Sequence, residues 1–384
     1  MGFEFTTANR VIFGAGALAD AGKLAKDLGG QALVVTGSDP DRAAPLLSIL
    51  KKAGLISTVF SVPSEPTVAL AKEGTRIAHE AACDLVIGFG GGSALDAGKA
   101  IAALVKNGDD PLDFLEVIGR GKPLTEPPLP YIAIPTTAGT GSEVTRNAVL
   151  ASKEHRVKIS LRGREMLPNV ALVDPELTFS MPPSITASTG LDALTQVIEP
   201  YLSTRRNALT DGLCREGMRR AAQSLHRAYE NGNDTEARTD MSLVSLMGGL
   251  SLANAGLGAV HGFAGPFGGM FAAPHGATCA ALLPHVMALN LQAIRAHDLN
   301  ADLTARFDEI GRLLTGKTTA VGEDGVGWLM DLCEAMEVPS LGSYGLTYAD
   351  FPVLIEKAIV SSSMKGNPVQ LTEVEMSTIL DRAM

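Results

Sequence analysis

Residues 84–99 read Asp-Leu-Val-Ile-Gly-Phe-Gly-Gly-Gly-Ser-Ala-Leu-Asp-Ala-Gly-Lys. An apolar strand runs into a glycine turn and then into a helix start. Gly90, Gly91 and Gly92 remove every Cβ from that turn, so a phosphate or another backbone can come close. The helix end presents free N–H groups and a partial positive charge, and Ser93 is placed to cap it. This chemistry suits a diphosphate. Without a ligand the same residues would make an ordinary strand-to-helix corner. A second loop favours the ligand. Ile132-Ala133-Ile134-Pro135 leads into Thr136-Thr137-Ala138-Gly139-Thr140-Gly141-Ser142, small hydroxyls and glycines that can donate to phosphate and ribose oxygens. Two such loops, each ending a buried strand, fit a dinucleotide lying across the carboxyl edge of a sheet. Neither has the Gly-x-x-x-x-Gly-Lys-Ser/Thr form, so an ATPase has no support.

A sparser set of donors follows in the second half. Asp192 and Gln196 are four apart on one expected helix and share a face. His261 and His275 come later, within Gly-Ala-Val-His-Gly-Phe-Ala-Gly and Ala-Pro-His-Gly-Ala-Thr. A carboxylate and two imidazoles can hold Fe²⁺ or Zn²⁺. A lone histidine in an apolar helix is ordinarily a core or capping residue. The glycines flanking these two would let a second helix or a ligand approach.

The elements that must position these residues divide at about residue 181. Before it, strand patterns at 10–13, 31–36, 57–62, 84–88, 130–134 and 170–173 alternate with helical patterns at 16–28, 40–53, 67–82 and 93–105. A short β pair is expected at 147–151 and 157–161. Such alternation means a parallel sheet with helices on both faces. From Pro182-Pro183-Ser184 onward strand patterns stop, and 184–203, 207–230, 236–256, 258–271, 276–290, 298–315 and 322–336 read as helices. The expected architecture is a Rossmann-like α/β dinucleotide-binding domain over 1–181, then an all-α domain over 182–384, with the site in the cleft between them.

Composition narrows the function. A chain of 384 residues can build two cores. Its net charge of −10, with no basic cluster, argues against nucleic acid. No stretch approaches the ~20 uninterrupted apolar residues of a membrane helix, and no signal peptide opens the chain. Cys83, Cys214, Cys279 and Cys333 lack metal or redox spacing and read as buried free thiols, which points to the cytoplasm.

Taken together the motifs resemble the iron-containing (group III) alcohol dehydrogenases over almost the whole chain. The likeness rests on Gly-Gly-Gly-Ser-Ala-Leu-Asp-Ala-Gly-Lys at 90–99, Pro-Thr-Thr-Ala-Gly-Thr-Gly-Ser-Glu-Val-Thr at 135–145 and Asp-Pro-Glu-Leu-Thr at 174–178. It extends through Gly-Leu-Asp-Ala-Leu-Thr-Gln at 190–196 and Pro-His-Gly-Ala with Leu-Leu-Pro-His-Val-Met at 274–287. The resemblance implies NAD(P)-dependent interconversion of an alcohol and an aldehyde or ketone, and a homo-oligomer such as a dimer. Asp192, His261 and His275 would be the catalytic metal ligands, with Gln196 near the position where the family usually has a third histidine. The family's further histidine, four residues after position 261, is Gly265 here, which implies a larger substrate cavity. Gly91, Gly92 and Ser93 would take the diphosphate of the cofactor, Thr136, Thr137 and Thr140 would line its adenosine and ribose side, and Asp96 would also belong to the cofactor site. Lys158 would reach the nicotinamide ribose. Asp39, just past the second strand, favours the free 2′-hydroxyl of NAD, although Gly37-Ser38 and Arg42 could accommodate NADP. The two departures leave two alternatives open. One is a metal-independent reductase of a carboxylate-bearing carbonyl compound, as maleylacetate reductases are. The other is a non-catalytic nucleotide-binding protein.

Overall fold

The computed structural model describes residues 2–108, 110–115, 118–152, 154–155, 157–296 and 301–384. Residues 298–300 of the helix expected at 298–315 lie outside these. The chain divides into two compact units. One comprises Thr6–Thr137 with Gly141–Phe179; the other comprises the N-terminal residues to Phe5, Ala138–Thr140 and Ser180–Met384.

The first unit is α/β. Its strands are β1 (Arg10–Phe13), β2 (Gln31–Thr36), β3 (Ile56–Ser61), β4 (Leu85–Gly90), β5 (Tyr131–Pro135), β6 (Asn147–Ser152), β7 (Val157–Arg162) and β8 (Val170–Val173). Six of them form a parallel sheet in the order β1-β8-β5-β4-β2-β3, and β6 pairs with β7 antiparallel. Helices α1 (Ala21–Lys26), α2 (Ala44–Lys52), α3 (Val68–Glu80) and α4 (Gly92–Asn107) cover the faces. The strands' period of two explains why both faces are dry. Ala32, Val34, Leu85, Ile87, Ile132 and Ile134 pack with Leu24, Leu46 and Leu50, while Leu33, Val35, Val86 and Ala133 pack with Ala78, Leu95 and Ile101.

The order fixes where a ligand can lie. From β2 the chain goes outward to β3, then returns to place β4 on the other side of β2. That reversal makes β2/β4 the switch point, where a crevice opens at the carboxyl ends of the strands.

Two glycines allow the close packing beneath it. A Cβ at Gly88 would lie 2.2 Å from Tyr131 Oη, and one at Gly98 3.0 Å from Tyr131 Cε2. The Tyr131 hydroxyl donates to the Leu95 carbonyl at 2.8 Å, so the ring is fixed and cannot retreat. Gly88→Ala is therefore expected to lower stability by ~1–3 kcal/mol, the usual cost of overpacking. A denaturant midpoint indistinguishable from wild type would show that Tyr131 moves freely.

The second unit is helical. It contains α5 (Pro183–Leu202), α6 (Ala208–Glu230), α7 (Thr235–Ala255), α8 (Ala259–Met270), α9 (His275–Ala296), α10 (Ala301–Thr315), α11 (Gly322–Ala335), α12 (Phe351–Ile359) and α13 (Glu373–Ala383). Helix α5 is its axis, with every residue from Gly190 to Leu202 buried. Polar side chains on such a helix must find partners inside the protein. Helix α9 has the length and apolarity of a membrane span, yet 83% of its most apolar window is buried within this unit, as befits a core helix. All four cysteines are free, with Cys83, Cys214 and Cys279 buried.

Candidate active site

The glycine turn takes the place read from the sequence, with one correction. Helix α4 begins at Gly92, its N-cap is Gly91, and no side chain caps it. Ser93 is the second helical residue rather than the cap, because the backbone turns one residue earlier than the glycine run suggested. The first-turn N–H groups of Gly92 and Ser93 therefore have no acceptor within the helix. Gly90 faces Pro135 across the ladder, and the Thr136 N–H donates to the Gly90 carbonyl at 2.9 Å. A Cβ at Gly91 would lie 3.3 Å from Thr137 Cγ2 and Oγ1, and one at Gly90 3.4 Å from the Gly37 nitrogen. Gly91, Gly92, Ser93, Thr136 and Thr137 thus share one edge with the residues that follow β2. Asp39, exposed, caps the short turn after that strand by accepting from the Asp41 N–H at 3.2 Å.

Three other expected cofactor residues are placed differently. Both oxygens of Asp96 are used within the protein: Ser142 Oγ donates to one at 2.5 Å and the Val149 N–H to the other at 2.9 Å. Lys158, on β7, forms an ion pair with Glu65. Thr140 groups with the helical unit rather than with Thr136 and Thr137. Beneath the loops, buried Lys99 donates to the Ser142 and Asn147 carbonyls, each at 2.8 Å. Burial lowers its pKa to about 8, with Asp96 and Glu143 opposing.

The donor cluster assembles from three helices. Asp192 and Gln196 lie on α5, His261 on α8, and His275 at the first residue of α9. Asp192 Oδ1 stands 3.3 Å from His261 Nε2 and 3.9 Å from His275 Nε2. Two glycines permit this. A Cβ at Gly276 would sit 2.4 Å from the Ser188 carbonyl, so only glycine lets α9 start against α5. A Cβ at Gly258 would sit 2.9 Å from Glu199 Oε1.

Glu199, absent from the sequence reading, fixes His261. Its Oε1 accepts from the Val260 N–H at 2.7 Å, satisfying the start of α8, and its Oε2 lies 2.7 Å from His261 Nδ1. A proton on Nδ1 leaves Nε2 as a bare donor, the outer-shell arrangement that orients metal-bound histidines. Asp192 Oδ1, Gln196 Oε1 and His261 Nε2 are buried atoms with no hydrogen-bond partner. Such groups are costly unless something binds them. The donor set fits a divalent metal. One further atom belongs to it: Cys279 Sγ lies with donors of Asp192, His261 and His275 in a cluster whose members are all within 4.8 Å of one another.

The electrostatics favour positive charge within the cluster. Burial alone would raise the Asp192 pKa, but the adjoining His261, the charge of His275 and the Cys279 side chain hold it below the usual carboxylate range. Burial would lower His261, yet the Cys279 sulfur, Glu199 and Asp192 push it well above its ordinary value. One turn beyond His261, a Cβ at Gly265 would meet nothing within 4 Å, so space is open on that face.

The ends of α5 to α8 were legible in sequence to within one residue, while α9 runs on to Ala296 past the expected 290; these partners were not legible as partners. Glu199 follows Gln196 by three and Cys279 follows His275 by four, spacings that put each on its neighbour's face. That signal was available for both.

Comparison with known proteins gives a consistent result. A family model described as iron-containing alcohol dehydrogenase matches residues 8–175, and one described as Fe-containing alcohol dehydrogenase family, C-terminal, matches 186–384. Alcohol dehydrogenase 4 of Saccharomyces cerevisiae (strain YJM789) is 36% identical over 380 residues, covering 97% of this chain and 96% of that protein. A crystal structure of 1,3-propanediol oxidoreductase superposes with a TM-score of 0.93 at 31% identity, covering all of both chains. Sulfoacetaldehyde reductase from Bifidobacterium kashiwanohense in complex with NAD⁺ gives 0.88 at 27% identity, covering 100% of this chain and 99% of that one.

Proposed function

The chain belongs to the iron-containing alcohol dehydrogenase family, and from that premise we propose an NAD-dependent oxidoreductase that interconverts an alcohol and an aldehyde or ketone. Asp192, His261 and His275 would hold Fe²⁺ or Zn²⁺. The observation that carries this reading is the pair of partnerless buried atoms, Asp192 Oδ1 and His261 Nε2, facing each other at 3.3 Å. A metal held there would supply Lewis-acid polarisation of a substrate oxygen and stabilise negative charge developing on it.

The remaining work falls to the chain. Asp192 supplies the negative charge, and Glu199 keeps the His261 Nε2 lone pair available. The open space at Gly265 admits a substrate group where a longer side chain would exclude it. On the α/β unit, the first turn of α4 receives the diphosphate through backbone N–H groups, and Thr136 and Thr137 flank it. The exposed Asp39 carboxylate beyond β2 favours the unphosphorylated ribose of NAD over NADP. The sulfoacetaldehyde reductase that shares this fold was captured with NAD⁺. Lys158 would reach the nicotinamide ribose only by releasing Glu65. A reducing cytoplasm, which the four free thiols suit, and a homodimer, for which the edge strands β1 and β3 offer unpaired ladders, complete the proposal.

The test is NADH consumption with a panel of short aldehydes, before and after chelation and after Fe²⁺ or Zn²⁺ is restored. Turnover that falls on chelation and returns with metal is expected. Turnover undiminished by the chelator would make the enzyme a metal-independent reductase. Nucleotide binding with no turnover would leave a binding protein.

A further inference from the structure

We propose that the fourth protein donor is the Cys279 sulfur, and that Gln196 acts behind Asp192 as its positioning residue. This rests on the metal-dependent reading above. Cys279 is fully buried and one helical turn beyond His275 on α9, so both side chains leave the same face. Its Sγ lies 3.7 Å from His275 Nε2.

Three of the six donor separations lie near the edges of a tetrahedral site, and all six are within 4.8 Å. With metal–oxygen and metal–nitrogen bonds near 2.1 Å and a metal–sulfur bond near 2.3 Å, tetrahedral edges are about 3.3–3.6 Å. The observed separations are 3.3 Å for Asp192 to His261, 3.9 Å for Asp192 to His275 and 3.7 Å for His275 to Cys279. A small inward adjustment closes the polyhedron.

Gln196 turns its amide nitrogen, not its unpartnered oxygen, toward Asp192. Its Nε2 donates to Asp192 Oδ2 at 3.1 Å, on the carboxylate oxygen opposite the one that faces the histidines. Its Oε1 looks toward α7, where a Cβ at Gly248 would lie 3.3 Å away. Flipping the amide would set an oxygen against the carboxylate, so the bond to Asp192 fixes the orientation. Gln196 thereby steadies the ligand while Cys279 completes the set. The thiol gives up its proton to solvent on binding, and the thiolate and Asp192 together balance a dication. A thiolate in the set shifts preference from iron toward zinc.

The experiment uses full-length protein stripped of metal and titrated with Co²⁺, then with Zn²⁺ against a chromophoric chelator. A cobalt complex with a thiolate–cobalt charge-transfer band in the near ultraviolet is expected for wild type and for Gln196→Ala. Cys279→Ser should lose that band, and its Zn²⁺ affinity should fall at least about tenfold, the least that losing even an outer-shell partner costs. Cobalt binding by wild type without the band would overturn the cysteine assignment and leave the metal site standing. No binding of either metal by wild type would overturn both. Loss of the band in Gln196→Ala, with circular dichroism unchanged, would return Gln196 to the coordination sphere. The wild-type spectrum decides the matter even if a variant fails to fold.

Discussion

Asp192→Ala is expected to lower kcat by about a thousandfold, the upper range for removing one preorganised electrostatic group. Asp192 is 2% exposed in the middle of α5, and its Oδ1 faces both histidines, at 3.3 and 3.9 Å. Alanine removes a donor and the formal charge that neutralises the cation, and it leaves His261 Nε2 facing a void. Metal retention should therefore fall with kcat, as measured by mass spectrometry after gel filtration. Affinity for NADH should stay within about twofold of wild type, since additivity holds for sites that share no partners. The glycine turn and the metal cluster belong to different compact units. A variant that keeps both its metal and more than a tenth of wild-type kcat would remove Asp192 from the catalytic centre.

The contrast between the two halves shows what a sequence can disclose. Strands 31–36 and 170–173 were read to the residue because buried parallel strands are short apolar runs bounded by turns, and the half-exposed edge strand 10–13 was read on its Val-Ile-Phe run. The helices of the second half were legible for the same local reason. Helices α12 and α13 were missed: the Pro, Gly and Ser residues between 339 and 368 isolate the nine residues of α12, and α13 is a single short helix of eleven residues beyond them. Asp192, His261 and His275 were legible as sparse donors, a resemblance grouped them as one ligand set, and their convergence came only with the structure. Glu199 went unread, and Cys279 was read only as a free thiol without metal spacing, for a different reason. Each acts through a residue distant in sequence: Glu199 through the start of α8, Cys279 through the approach of α9 to α5. Those approaches depend on Gly258 and Gly276, whose role is visible only when the neighbouring backbone is in place. Asp96 adds a contact the motif did not disclose: its carboxylate accepts from Ser142 and Val149 and so ties α4 to them.

The glycine turn offers the second large effect, and its two central residues should behave differently. Gly91→Ala adds a Cβ 3.3 Å from Thr137, so its consequence is a packing strain between two loops. Gly92 opens α4 with helical backbone, a position valine can adopt at no more than about 0.7 kcal/mol. Gly92→Val should therefore fold normally, with circular dichroism and denaturant midpoint close to wild type. Its branched Cβ would nonetheless occupy the approach to N–H groups that have no acceptor within the helix. The dissociation constant for NADH, read by fluorescence titration, should rise at least about tenfold, equivalent to about 1.4 kcal/mol. Metal content should not change, because the metal donors lie on α5, α8 and α9. An unchanged constant would mean that the diphosphate does not sit on α4, and that the three glycines serve only the turn between β4 and that helix.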